Sequence, residues 1–242
     1  MTKRRRRNQP RHLLVRSTPR EGGGIALEVD GVVQSVFVSE TEGSAEATGT
    51  VSQELEDGEP QPGPDGGYWG LLLPPRCPRR ALLLGLGGGT VAQLLTRRCP
   101  NTEITGIEHD SLVLALARSQ FGLEKLAQLT IVESDAFAWV ATQSRSTPRG
   151  EDFDLVCLDL FEAGRLAHGA LATPFLRQIA ELMAPSGLLT ANLMVTARTP
   201  DQLRRLERVF ILVWRKRLRG NLIVHGRLPE ARELDAAGAI GE

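Results

Sequence analysis

The sequence predicts an α/β domain built on a mostly parallel sheet that ends in an antiparallel hairpin, with a small β-hairpin ahead of it. Three observations carry this. Short, almost wholly apolar segments alternate with segments of helical periodicity, the pattern of a parallel sheet covered on both faces. A run Gly85-Leu86-Gly87-Gly88-Gly89 separates one such apolar segment from one such helix. Asp30-Gly31, between two short apolar runs, is a strong two-residue hairpin signal.

Taken along the chain, residues 1–20 hold eight Lys and Arg and no acid, which reads as a solvated basic tail. Residues 21–38 hold the hairpin, with strands at 25–29 and 32–38. Residues 39–67 are rich in Gly, Glu, Ser and Pro and carry almost no large apolar side chains. Such a segment reads as a flexible acidic loop. The α/β domain spans 68–228. Within it strands are predicted at 81–84, 104–107, 129–132, 153–158 and 188–193, and helices at 90–98, 111–119, 136–143, 173–183 and 200–208. Ser111 and Asp135 stand where helix N-caps belong. Residues 144–151 read as a loop. Two last strands, 210–214 and 221–225, flank a basic turn, and residues 229–242 form a tail.

Composition bounds the function. The 242 residues carry 29 Lys plus Arg against 29 Asp plus Glu, so no global field marks a nucleic-acid binder. No apolar stretch approaches the roughly twenty residues of a membrane span, and no apolar run follows the basic start as in a secretory leader. Cys77, Cys99 and Cys157 are too scattered for a disulfide framework and have no metal-ligand spacing. They are expected as buried reduced thiols in a cytoplasmic protein, and no metal is expected.

Ligands of open α/β sheets bind outside the carboxyl ends of the strands. The glycine loop, Glu108, Asp135 and Asp159 all fall there. Gly85, Gly87, Gly88 and Gly89 let the backbone approach a ligand closely, and the helix beginning at Thr90 offers free N–H groups. Glu108 follows by about twenty residues, the place of an acid that accepts from both ribose hydroxyls. Asp135, with Ala136 after it, is either a helix cap or an acceptor for the exocyclic amine of adenine, or both. Asp159, with Glu162 three residues on, can hold a cationic acceptor and take its proton. Asn192 ends another strand and can face the same pocket. Tyr68 suits a lid or wall, Trp69 suits the core, and His109 and His168 read as surface residues.

These residues in this order resemble the spermidine synthase family and its methyltransferase-like relatives. The segment from Leu27 through Asp30-Gly31 to Gln34 is similar to the family's "LDG-x-x-Q" hairpin, and residues 80–89 to its donor loop. Ile107-Glu108-His109-Asp110 is similar to its "VEID" motif, Ser134-Asp135-Ala136 to its adenine-side motif, and Asp159-Leu160-Phe161-Glu162 to its acidic "D-x-x-D". The resemblance implies a class I S-adenosylmethionine-dependent methyltransferase-like (Rossmann-like) fold. It implies S-adenosylmethionine or decarboxylated S-adenosylmethionine as co-substrate, an amine as small-molecule acceptor positioned by Asp159, and a homodimer. It also shows departures. Thr90 stands where spermidine synthases have Asp, which engages the ammonium of the decarboxylated donor, and the family's "YHE" is reduced to Tyr68-Trp69-Gly70. These departures favour methyl transfer over aminopropyl transfer. A non-catalytic nucleoside-binding relative and an NAD-dependent oxidoreductase remain as alternatives.

Overall fold

The computed structural model describes residues 15–20, 24–29, 32–38, 67–145, 152–162 and 164–230. Three strands, β1 (Val15–Arg20), β2 (Gly24–Val29) and β3 (Val32–Val38), form an antiparallel sheet. Val29 pairs with Val32, as a hairpin over Asp30-Gly31 requires; those two residues themselves lie outside the described residues. β1 corrects the expectation that all of residues 1–20 form a tail. An edge strand needs only backbone pairing along one side, so it can be polar and can carry a proline such as Pro19. Thr18 Oγ1 donates across the strands to Glu28 Oε1 at 3.1 Å. Leu27 is fully buried, and the small sheet lies on the first two helices of the main domain. The expected loop at 39–67, apart from Gly67, lies outside the described residues, as does most of the one at 144–151.

The main domain begins with a 3₁₀ turn at Tyr68–Leu72. Then follow β4 (Arg80–Leu84), α1 (Thr90–Arg98), β5 (Glu103–Glu108), α2 (Ser111–Gln120), β6 (Leu129–Glu133), α3 (Ala136–Gln143) and β7 (Phe153–Leu158). A two-residue ribbon, β8 (Phe161–Glu162) with β9 (Arg165–Leu166), precedes α4 (Thr173–Leu182), β10 (Met183–Met194), α5 (Thr199–Glu207), β11 (Ile211–Leu218) and β12 (Asn221–Arg227). The seven-stranded sheet runs in the order β11-β12-β10-β7-β4-β5-β6. β10, β7, β4, β5 and β6 are mutually parallel, and β12 is antiparallel to both its neighbours. The chain reverses direction of winding between β4 and β7, and a crevice opens at such a switch point.

Alternation of side chains across the pleat splits the core in two. Leu82, Leu84, Val156 and Leu158 face the layer of α3, α4 and α5. Ala81, Leu83, Leu155 and Cys157 face α1, α2 and the 3₁₀ turn. Both faces are covered, which is why these strands read as unbroken apolar runs.

Three local expectations are corrected. Asp110, not Ser111, caps α2, its carboxylate accepting from the N–H groups of Leu112 and Val113. The basic stretch after Trp214 is strand rather than turn. β11 continues to Leu218 with Arg215 and Arg217 on its exposed face, and only Arg219-Gly220 turn. Cys77 and Cys99 are not reduced thiols: they form a disulfide, while Cys157 is free and buried. A strand followed by its crossover helix returns the chain to the end of the sheet where it started. The residues just before β4 and just after α1 therefore meet, with Cα atoms 5.4 Å apart. Closing a loop of this size contributes about 3 kcal/mol in the chain-entropy description. Replacing both Cys77 and Cys99 by Ala is expected to lower stability by that order in urea unfolding under non-reducing conditions. An unchanged midpoint would show that the bond does not constrain the unfolded chain.

No helix among the described residues is long and apolar enough to cross a membrane.

Candidate active site

At the carboxyl ends of β4, β5, β6 and β7 the structure holds an open cleft of about 790 Å³. Gly85, Gly87, Thr90, Glu108, Asp135, Ala136, Asp159 and Glu162 line it. Gly88 and Gly89 shape the loop without lining the cleft. Tyr68 and Asn192 reach it only through Asp159.

The glycine loop is held from both sides. The N–H groups of Gly85 and Leu86 donate to the Ile107 carbonyl at 3.1 and 3.0 Å, so the loop stays tied to β5 past the end of β4. Gly85 has φ 91°, and a Cβ there would collide with the backbone carbonyl of Asp159. Gly89, the N-cap of α1, has φ 82°, and a Cβ there would enter the Leu123 side chain. Both positions thus need glycine on two counts, torsion and space.

Glu108 does more than the sequence suggests. Its Oε2 accepts from the Gly87 N–H at 2.9 Å, and its Oε1 from the N–H groups of His109 and Asp110 at 2.9 and 3.1 Å. One carboxylate therefore pins the glycine loop and the turn after β5 together. Burial pushes its pKa up, but the bonds from His109, Asp110 and Gly87 outweigh burial and the net shift is downward. His109 Nδ1 lies 3.3 Å from Glu108 Oε1, and that bond, opposed by partial burial, raises the imidazole pKa. His168 is exposed.

Asp135 caps α3, its Oδ1 accepting from the Ala138 N–H at 2.8 Å. The residue also lines the cleft, so capping and ligand contact are compatible. Phe137, beside it, provides an apolar wall and lies 4.5 Å, centroid to centroid, from Phe175.

Asp159 is partly buried at the cleft wall, and its two oxygens have different partners. Tyr68 Oη donates to Oδ2 at 3.0 Å and Asn192 Nδ2 to Oδ1 at 2.9 Å. Burial raises its pKa from 3.8 to about 6, against the lowering effect of the Asn192 and Tyr68 bonds. The Tyr68 hydroxyl is itself pushed well above its ordinary pKa, by burial and then by the Asp159 charge, so it stays a donor. Tyr68, expected as a lid or wall, is a hydrogen-bond partner of the acid. Trp69, expected in the core, is buried and also lines the cleft. Glu162 stands exposed at the rim on the β8–β9 ribbon. The cleft wall made by Phe137 and Phe161 was not anticipated, because single aromatics after an acid carry no pattern that separates a wall from a core.

The strand order, with antiparallel β12 inserted, is the fold of class I S-adenosylmethionine-dependent methyltransferases and spermidine synthases. A probable spermidine synthase from Corynebacterium glutamicum superposes with a TM-score of 0.65 at 19% identity, covering 90% of this chain and 77% of that one. Among curated proteins, a polyamine aminopropyltransferase of Vibrio vulnificus (strain CMCP6) is 29% identical over 132 residues, 54% of this chain and 43% of the relative. An eEF1A lysine and N-terminal methyltransferase homolog of Drosophila melanogaster is 32% identical over 141 residues, 53% of this chain and 20% of the relative. The chain thus spans less than half the length of either relative. No protein-family profile matches it.

Proposed function

We propose that this chain is a transferase that takes a carbon group, a methyl group in the preferred reading, from an S-adenosyl sulfonium donor to an amine. The observation that carries the proposal is a partly buried carboxylate, Asp159, held by Tyr68 and Asn192 in the same cleft as the glycine loop, Glu108 and Asp135, where burial raises its pKa to about 6. The donor set suits the nucleoside. Glu108 offers carboxylate oxygens toward the ribose, Asp135 keeps Oδ2 for the adenine amine, and the loop from Gly85 to Gly89, with Gly87 and Gly88 between, brings backbone close to the rest.

The sulfonium supplies an electrophilic carbon and a neutral thioether leaving group. Residues of this chain supply alignment and the proton sink. A neutral amine beside Asp159 attacks in line, the new N–C bond forms as the C–S bond breaks, and the electron pair stays on sulfur. The surplus proton on nitrogen passes to the Asp159 carboxylate. A carboxylate with a pKa near 6 is a better base than an exposed one and is still mostly ionised at neutral pH. Glu162 at the rim draws a cationic acceptor inward.

Thr90 supports methyl over aminopropyl transfer. It is buried at the cleft, 3% exposed, and carries no charge to hold a second ammonium or to repel a donor carboxylate. The aminopropyl reading draws on the acidity of the cleft and on the polyamine aminopropyltransferase relatives. Calorimetric titration with S-adenosylmethionine, its decarboxylated form, methylthioadenosine and NAD decides. Tightest binding of intact S-adenosylmethionine is the expected result. Preference for the decarboxylated donor would reverse the reading of Thr90, binding of NAD alone would remove the transferase reading, and no binding would leave a non-catalytic relative.

A further inference from the structure

His225 has no place in the cleft, yet it is a buried imidazole, 3% exposed, on β12. Its Nε2 lies 2.8 Å from the Leu71 carbonyl oxygen. A carbonyl only accepts, so Nε2 carries the proton and donates. The ring leans on Trp214, centroids 4.5 Å apart. Cys157, Thr190, His225 and Trp214 form one row across β7, β10, β12 and β11. Above that row sits the 3₁₀ turn Tyr68–Leu72, whose first residue bonds to Asp159.

A five-residue 3₁₀ turn has few and poorly aligned internal hydrogen bonds, so its place depends on what it is tied to. Its apolar residues, Trp69, Leu71 and Leu72, are buried, but apolar contact is non-directional. Among the described residues, two hydrogen bonds tie the turn to the sheet: Leu71 to His225, and Tyr68 to Asp159. An apolar side chain at 225 would fill the same space without removing an imidazole from water, which costs free energy unless the hydrogen bond is made.

We propose that His225 is a positioning residue for Asp159: by holding the Leu71 carbonyl it fixes the 3₁₀ turn and so delivers the Tyr68 hydroxyl to the carboxylate. The inference rests on the reading of Asp159 as proton acceptor. The groups facing His225 are the uncharged Trp214, Thr190 and Leu71 carbonyl. Those facing Asp159 are Tyr68, Asn192 and Cys157, with Glu108, Asp135, Glu162 and His109 around the cleft. Burial lowers the His225 pKa and the Leu71 bond only partly offsets it, and Nε2–H donates to the Leu71 carbonyl in the neutral and the protonated ring alike.

Tyr68 is the sole tyrosine of the chain, which gives a test that needs no acceptor. With tyrosine labelled at ¹³Cζ and aspartate at ¹³Cγ, the Tyr68 and Asp159 resonances of the full chain should titrate together near pH 6, with Asp159 assigned by Asp159→Asn. His225→Phe keeps a ring against Trp214 but loses the donor. The expected result is that Tyr68 no longer follows Asp159 and that the Asp159 midpoint rises by about 0.5–1 pH unit, the size of a lost hydrogen bond to the charged form. His225→Asn, whose amide is too short to reach Leu71, should do the same if the Phe variant does not fold. His225→Gln should restore the coupling. A folded Phe or Asn variant with lower melting temperature but an unchanged joint titration would overturn the proposal and leave His225 as core packing. The calorimetric donor panel tests the transferase reading separately, since His225 does not touch the donor side.

Discussion

Asp159→Asn is expected to cut transfer to an amine by about 10²–10⁴-fold, the usual size of general-base catalysis, while making the protein more stable at pH 8. The two effects have one cause. The Asp159 carboxyl has a folded-state pKa of about 6 against an ordinary value of 3.8, so the folded state favours its protonated form. Its contribution to stability is fully present below pH 3.8 and is lost as pH rises through 6. At pH 8 the folded protein holds a partly buried charge at a cost of at most about 3 kcal/mol by linkage. A neutral amide removes that cost. The new side chain can still accept from Tyr68. Its N–H groups can be met by Asn192, whose Oδ1 is buried without a partner among the described residues, once that amide turns over. Urea unfolding of both proteins at pH 8 and near pH 5 checks this. The variant should be more stable at pH 8, with the gap closing toward acid. A variant less stable at pH 8 would mean that Tyr68 and Asn192 over-compensate burial, and that Asp159 is a structural acid rather than a base kept under strain.

Much of this fold is legible in the sequence because it rests on local pattern. Unbroken apolar strands such as 81–84 and 153–158 announce two covered faces, and the glycine loop after the first of them announces a close backbone approach. The rule that strand ends meet at one edge then gathers Glu108, Asp135 and Asp159 without any further knowledge. What stays hidden is pairing across sequence distance. Tyr68 meets Asp159 over 91 residues and Asn192 meets it over 33, and no spacing encodes either contact. The Cys77–Cys99 bond follows from the crossover geometry of one strand and one helix, not from cysteine count. β1 leaves no mark in the sequence because an edge strand needs backbone pairing more than it needs apolar side chains. Glu108 lines the cleft where its place at the end of β5 puts it, but its bonds to Gly87, His109 and Asp110, which organise the loop that the ligand would meet, are announced by no spacing.

Gly85→Ala is expected to be the most damaging single methyl that can be added at the site. At φ 91° an L side chain is strained by about 1–2 kcal/mol, and here the added carbon also strikes the Asp159 carbonyl oxygen and carbon, which are backbone and cannot swing away. Relief requires β4 and β7 to part at their carboxyl ends. That would break the Asp159 N–H bond to the Leu84 carbonyl, 2.9 Å, and tilt the acid away from Tyr68 and Asn192. The combined loss should exceed roughly 3 kcal/mol, the range reserved for strain and overpacking in a core. Gly122→Ala is the control. Gly122 also has a positive φ, 65°, but a Cβ there meets nothing closer than the Lys125 side chain at 3.8 Å, so only the torsional cost of about 1 kcal/mol applies. Thermal unfolding of the two variants separates torsion from collision. Equal losses would show that β4 and β7 can spread without penalty, and the donor loop and the proton acceptor would then be independent parts. A much larger loss at Gly85, with donor affinity and the Asp159 titration disturbed together, is what a single rigid junction between the two halves of the site requires.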